Sequence, residues 1–177
     1  MSFSPSLLVS AALAGVLLAH GCATVSSTVM VPERIESVAA SHGGTVRIDA
    51  SGSARQALIG RRLVEPTALE AAVRESVLTA GLYDEVLDIG HADRVLAVTV
   101  EDIKEPAIGL DVTCEVSLRW RLLSGDETRT LWEEVITTKE TVNSFDESDS
   151  SKRGMMSIEA AMRSNLRRGI ARLSDAG

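Results

Sequence analysis

The chain has 177 residues, of which 45% are hydrophobic, and a formal charge of −7 from 25 acidic and 18 basic side chains. This acidic balance argues against nucleic acid as a partner, because binding to a phosphate backbone depends on clustered Lys and Arg. Two cysteines are too few for a disulfide scaffold, and three histidines are too few for a metal set without carboxylate help. We therefore expect neither a metal nor another cofactor.

The N-terminus has the pattern of an export signal. Residues 7–19 are an apolar segment of the length found in secretory signal peptides, about 7–15 residues, and shorter than the roughly 20 that span a bilayer. The segment leads into Ala19-His20-Gly21-Cys22, which resembles a lipobox, the site where lipoprotein signal peptidase cuts before a diacylglycerol-bearing cysteine. The sequence therefore predicts a signal peptide over 1–21 and a lipid on Cys22.

A second export route remains open. Ala19 and His20 stand where a lipobox usually has leucine and a small residue, and residues 1–6 lack the Lys or Arg of most signal peptides. Ala19-His20-Gly21 also fits the small-x-small site of the general signal peptidase, which would leave Cys22 as a plain thiol. Lipidation is the route that we favour.

Residues 22–44 have no strong hydrophobic period and end in Ser41-His42-Gly43-Gly44. We predict a lipidated cysteine and flexible tether over 22–44, followed by one domain over 45–177; a tether of ~20 residues has a reach of about 25 Å. An alternative is that Val29-Met30-Val31 adds a short strand or helical turn to the domain.

Alternation of apolar and polar residues predicts four strands after residue 44. The first strand begins at Thr45 and ends at Ser51-Gly52-Ser53. The other three cover about 94–103, 110–122 and 128–142. In the last strand the alternation slips between Trp132 and Val135, which suggests a bulge. Cys114 lies on the apolar side of the third strand and is expected to be a buried hydrophobe rather than a nucleophile.

Apolar or small residues at a spacing of three to four predict two helices. The first covers 66–80, with Pro66 in its first turn and Gly81 as its stop, and the second covers about 155–173. The order β-α-β-β-β-α predicts an α+β, two-layer sandwich. In it a mostly antiparallel four-stranded sheet has both helices on one face and water on the other.

Several segments resemble a known group of proteins. They are Ala80–Val86, Gly109–Thr113, Ser117–Leu122, Leu131–Glu134 and Glu159–Leu166. They look like the helix exit, strands and C-terminal helix of small outer-membrane auxiliary lipoproteins, such as the lipopolysaccharide-assembly lipoprotein and the auxiliary lipoproteins of ABC-type lipid transporters. The resemblance implies a non-enzymatic protein that binds an envelope partner or a lipid-like ligand. It carries over no site residue beyond Cys22.

Four surfaces are candidates for partner binding. Their residues are Arg61 and Arg62 before the first helix, Ile108 at a hairpin tip, Phe145 in an acidic loop, and Arg163 and Arg167 on the last helix. Arginine forks bind phosphates of lipopolysaccharide or phospholipid, and exposed apolar side chains anchor protein partners. Each set also has a purely structural explanation. The arginines before the first helix can be solvated, Ile108 and Phe145 can pack against the sheet end or the core, and the arginines of the last helix can interact with the helix dipole.

No catalytic constellation stands out. His91 beside Asp93 is more typical of a solvated turn than of a ligand pair, and the chain contains neither a glycine-rich phosphate loop nor a nucleophile elbow. We therefore expect an outer-membrane lipoprotein that faces the periplasm, is not an enzyme, and supports an envelope assembly or transport partner. The alternative is a periplasmic carrier of a lipid or glycolipid.

Overall fold

The computed structural model describes residues 23–35, 41–52, 62–104 and 110–176, which form a mixed α+β fold. Its strands are β1 (Ala23–Thr24), β2 (Thr45–Ser51), β3 (Arg62–Leu63), β4 (Glu85–Leu87), β5 (Arg94–Lys104), β6 (Val112–Ser124) and β7 (Thr130–Val142). Its helices are α1 (Ser27–Met30), α2 (Pro66–Ala80) and α3 (Ser150–Asp175). The predicted helix over 66–80 is confirmed, and Gly81 ends it in the left-handed region at φ 64°.

One sheet holds five of these strands, in the order β4-β2-β5-β6-β7. Strand β2 runs parallel to β4 and β5, whereas β5, β6 and β7 are antiparallel neighbours. The expected four-stranded sheet is therefore wrong in strand number, and half of its ladders are parallel. Strand β4 spans three residues, too short for an alternation to be visible, and it is parallel because α2 carries the chain back across the sheet.

The inner face of the sheet packs against α2 and α3. The core side chains of β6 are Val112, Cys114, Val116, Leu118, Trp120 and Leu122, and all are buried. This face was predicted from the alternation, except that Leu110 is exposed because the strand begins two residues later. Trp120 also meets α3 closely, since a Cβ added at Gly169 would lie 2.1 Å from its ring.

Helix α3 begins at Ser150, five residues before the predicted helix start at about 155. Asp149 causes the earlier start, because its carboxylate accepts hydrogen bonds from the backbone N–H of Ser151 at 2.8 Å and of Lys152 at 3.3 Å. These two bonds hold the pKa of Asp149 below its usual value. The predicted stripe, from Ile158 to Leu173, is buried as expected.

The bulge in β7 lies at a different residue from the one predicted. Leu122 faces Trp132, but Leu123 faces Thr130, so Leu131 is the extra residue. The apparent slip after Trp132 has another cause. Glu134 points to the helix side of the sheet, where its Oε1 lies 3.6 Å from Nε of Arg172 on α3.

The N-terminal segment packs on the domain along most of its described length. Strand β1 pairs with β3, Val25 and Met30 are buried, and α1 contacts α2 and α3. Farther along, Nε2 of His42 lies 2.9 Å from the carbonyl oxygen of Leu173. A flexible tether therefore does not describe residues 25–31, and the packed alternative does.

The elements divide the sheet into two ends. Strands β2, β5 and β7 stop at one end, where β6 starts. Helix α3 also starts there, because Thr138 bonds to Ala161 whereas Glu134 meets Arg172 farther along the helix. We call this the β1 end, because β1 pairs with β3 just before α2 starts from it.

Candidate functional site

The β1 end holds the residue that follows the predicted lipidation site. Cys22 itself lies outside the described residues, but Ala23 is the first residue of β1 and consecutive Cα atoms are about 3.8 Å apart. Ala23 faces Arg62 in the β1–β3 ladder, so the backbone of one predicted partner-binding residue lies beside the residue that follows the predicted lipidation site. Arg61 and Ile108, two other predicted residues, lie outside the described residues.

Phe145 is the most exposed of the large apolar side chains described, at 99% of its surface. The turn that holds it is built by Asn143, whose Oδ1 accepts a hydrogen bond from the Phe145 backbone N–H at 2.9 Å. Leu110 is 76% exposed and precedes β6, whose first residue pairs with Val142 at the end of β7. Phe145 and Leu110 are thus two solvent-exposed apolar side chains in neighbouring loops at the β1 end.

Arg163 and Arg167 lie together, as predicted, but on the helix layer rather than at an end of the sheet. Nε of Arg163 donates to the carbonyl oxygen of Val29 at 3.1 Å and so fastens α1 to α3. A shallow cavity of about 290 Å³ beside this contact is lined by Pro32, Glu33, Arg34, Arg163 and Arg167. Arg34 could not be predicted from sequence patterns, because its neighbours on α3 are about 130 residues away in the chain.

A larger groove of about 500 Å³ lies between β7 and α3. It is lined by Glu134, Val135, Ile136 and Thr137 of β7 and by Arg168, Ala171, Arg172 and Asp175 of α3. Successive side chains of a strand point to opposite faces, so four consecutive β7 residues line the groove along the edge of the strand. Because β7 is an outer strand of the sheet, this edge is open to another extended chain.

The outer face of the sheet is polar and internally paired. The guanidinium of Arg119 contacts Glu101 and Glu133, each at 2.6 Å, and these bonds raise its pKa. Hydroxyl pairs join β6 to β7, including Ser117 and Thr137 at 2.8 Å. The predicted wet face is confirmed, and many of its polar side chains pair with one another.

The described residues offer little for metal or acid–base chemistry. They contain no group of three or more His, Cys, Asp or Glu side chains that could hold a metal. Asp93, the partner considered for His91, instead accepts hydrogen bonds from the backbone N–H and hydroxyl of Thr45 at 2.8 and 2.9 Å. Those bonds lower the pKa of Asp93. They also connect the start of β2 to the loop before β5.

Among the described helices, none has both the length and the apolar character needed to cross a membrane. Comparison with known proteins gives a likeness of fold. No family model matches the chain, and no curated protein matches it.

Protein XCC0632 from Xanthomonas campestris, described by the family model DUF330, has a similar structure. It has a TM-score of 0.65 at 16% identity, over 87% of this chain and 95% of that one. Protein CT253 from Chlamydia trachomatis has a TM-score of 0.50 at 14% identity, over 76% and 97%. The minor lipoprotein from Acinetobacter baumannii is more distant, with a TM-score of 0.48 at 7% identity, over 74% and 92%. The first two likenesses show a shared fold.

Proposed function

We propose that the protein is an outer-membrane-anchored, periplasm-facing accessory lipoprotein that binds an envelope partner protein and supports its assembly or transport work. The observation that carries the proposal is the junction at Cys22. A lipobox-like sequence ends at this residue, and the next residue, Ala23, pairs with Arg62 of β3. The resemblance to lipopolysaccharide-assembly and ABC-transport auxiliary lipoproteins supports the accessory role.

The groove between β7 and α3 is the surface that best suits a protein partner. An open strand edge beside a helix can bind an extended peptide, which adds a strand to the sheet through backbone hydrogen bonds. Val135 supplies exposed apolar surface there, and Ala171 leaves room because its side chain is a single methyl group. Arg168 is exposed on the helix wall and favours an acidic side chain in the bound strand.

The lipid-carrier alternative would need space between the sheet and its helices. Close packing argues against such space, because Gly169 brings α3 against the ring of Trp120, and Nε1 of Trp120 donates a hydrogen bond to Oδ1 of Asn165 on α3. Native mass spectrometry of the purified protein distinguishes the two functions. A stoichiometric co-purifying lipid would favour the carrier.

Anchoring is tested by metabolic labelling with palmitate and by membrane fractionation. Cys22→Ser is expected to abolish labelling and to release the protein from outer membranes. Cys114→Ala is the matched control, since it removes the buried cysteine and should leave both results unchanged. Sedimentation of the Cys22→Ser protein with outer membranes, without label in either form, would contradict the anchor.

Partner binding is tested with a photo-crosslinking amino acid at Val135 in the groove and at Ile89, a control that lies outside the groove and is more exposed than Val135. A discrete crosslinked product is expected from Val135 alone. Ala171→Trp fills the groove from an exposed helix position and should remove the product without lowering the melting temperature. Equal products from both positions would show that the groove has no special role.

A further inference from the structure

We infer that the β1 end of the domain is a membrane-contact surface, in which Phe145 and Leu110 enter the lipid interface. The inference rests on the lipidation of Cys22 in the proposed function and goes beyond it. It assigns an orientation to the domain and a binding role to two side chains.

The first support is that no flexible segment separates β1 from Cys22 along the chain. Ala23, the residue that directly follows Cys22 in the chain, already pairs with Arg62 of the folded domain. Acyl chains fixed at this point bring the β1 end to the bilayer surface. A tether of twenty residues would leave the orientation free, but α1 and Met30 are packed into the domain instead.

The second support is the position of the exposed apolar side chains. Phe145 and Leu110 are 99% and 76% exposed, and they flank the Val112–Val142 pair at the β1 end. Aromatic and aliphatic side chains of this kind lose contact with water when they enter the boundary between headgroups and acyl chains. Ile89, which is 85% exposed, lies between β4 and the start of β5, near the opposite end, and is left in water in this orientation.

The charges near Phe145 favour one kind of lipid. Asp146 and Glu147 follow it, and both take part in the turn: Asp146 accepts from the backbone N–H of Asn143 at 3.2 Å, and Glu147 from that of Asp149 at 2.9 Å. Carboxylates at this height face the headgroup layer, where they repel anionic lipids. The surface therefore suits a zwitterionic leaflet rich in ethanolamine headgroups.

The test uses the acylated protein reconstituted in liposomes of phosphatidylethanolamine and phosphatidylcholine, with bromine near the headgroup end of the acyl chains. Tryptophan is introduced as Phe145→Trp, Leu110→Trp or Ile89→Trp in a Trp132→Phe background, so that the buried Trp120 gives a constant signal. Bromine quenches tryptophan only on close contact. We expect Phe145→Trp and Leu110→Trp to be quenched about twofold, at interfacial depth, and Ile89→Trp to be unchanged.

Replacing part of the phosphatidylcholine with phosphatidylglycerol should weaken the quenching of Phe145→Trp. Equal quenching at all three positions, or none at positions 110 and 145 in protein that floats with the liposomes, would overturn the inference and leave the anchor intact. Protein that carries no acyl chain and does not float would contradict the anchor and the inference together. Quenching of Ile89→Trp alone would reverse the orientation.

Discussion

Both faces of the sheet hold polar contacts, but they use them differently. On the helix-covered face, Trp120 donates from Nε1 to Oδ1 of Asn165 at 3.1 Å, and Asn165 donates from Nδ2 to the carbonyl oxygen of Ile136 at 2.7 Å. On the open face, Arg119 reaches Glu101 and Glu133 in water. Burial makes the difference, because a buried polar group that loses its partner has no water to replace it.

The covered face therefore fixes which fold forms, and the open face tolerates change. Sequence changes on the covered face should be costly in proportion to the buried contact that they remove. Changes on the open face should be close to neutral, since exposed ion pairs contribute little. The four predictions below test this difference, from the largest expected effect to the smallest.

Trp120→Ala removes the largest buried side chain of β6 and leaves a cavity under α3. We expect a loss of about 3–5 kcal/mol in the free energy of unfolding, measured by urea denaturation. Trp132→Ala is the matched control, because it removes the same side chain from a half-buried position at the edge strand. Equal losses in the two variants would contradict the contrast between covered core and sheet edge.

Asn165→Ala leaves both Nε1 of Trp120 and the carbonyl oxygen of Ile136 without this partner in the protein interior. The expected loss is about 2–3 kcal/mol, again from urea denaturation, because two buried polar groups lose a hydrogen bond. Ser174→Ala, on the exposed side of the same helix, serves as the control. A loss no larger than that of the control would show that Asn165 is not needed for packing.

Tyr83 gives a pH-dependent test of the covered side. Burial raises its pKa to about 12, and its hydroxyl has no hydrogen-bond partner among the described residues. The unfolded chain releases the phenol proton near pH 10, so folding stability is full below that pH and falls by about 1–2 kcal/mol toward pH 12. Absorbance at 295 nm follows the titration directly, because the chain has one tyrosine.

Tyr83→Phe removes the ionisable group and should abolish the part of the pH dependence that lies between pH 10 and 12, at no cost in stability at neutral pH. The reason is that the buried hydroxyl has no described partner to lose. An unshifted phenol titration in the wild-type protein would show that the side chain is accessible to water.

Arg119→Gln should have the smallest effect. The guanidinium is partly exposed between two carboxylates, and water and salt can replace both contacts. The melting temperature is expected to fall by less than that of Asn165→Ala, and to fall less still at high salt. A loss equal to that of Asn165→Ala would mean that the open face contributes to the core energetics.

Long elements with a strong period were predictable from the sequence, and short ones were not. Helix α2 and the stripe of α3 follow from spacing alone, because burial of one face over several turns leaves a repeated pattern. Strands β1, β3 and β4 have two or three residues each, which is less than two alternations. The packing of Met30 was equally hidden, since its partners on α2 and α3 are distant in the chain.

The candidate surfaces followed the same rule. Phe145 and the Arg163–Arg167 pair were identified from residue type, but their exposure and their placement on different sides of the domain needed coordinates. The groove between β7 and α3 could not be predicted, because it depends on β7 being an outer strand and on which part of α3 lies beside it. Sequence patterns report faces of single elements, whereas sites arise between elements.

The position of β1 directly after Cys22 also bears on the proposed biogenesis. A peptidase needs an extended substrate, and in the finished fold the residue that follows Cys22 pairs with Arg62. If the leader is cut before Cys22 as proposed, the cut is expected to precede the pairing of β1 with β3. Cleavage and this pairing would then be ordered steps, and an uncut chain would leave β3 without its partner strand.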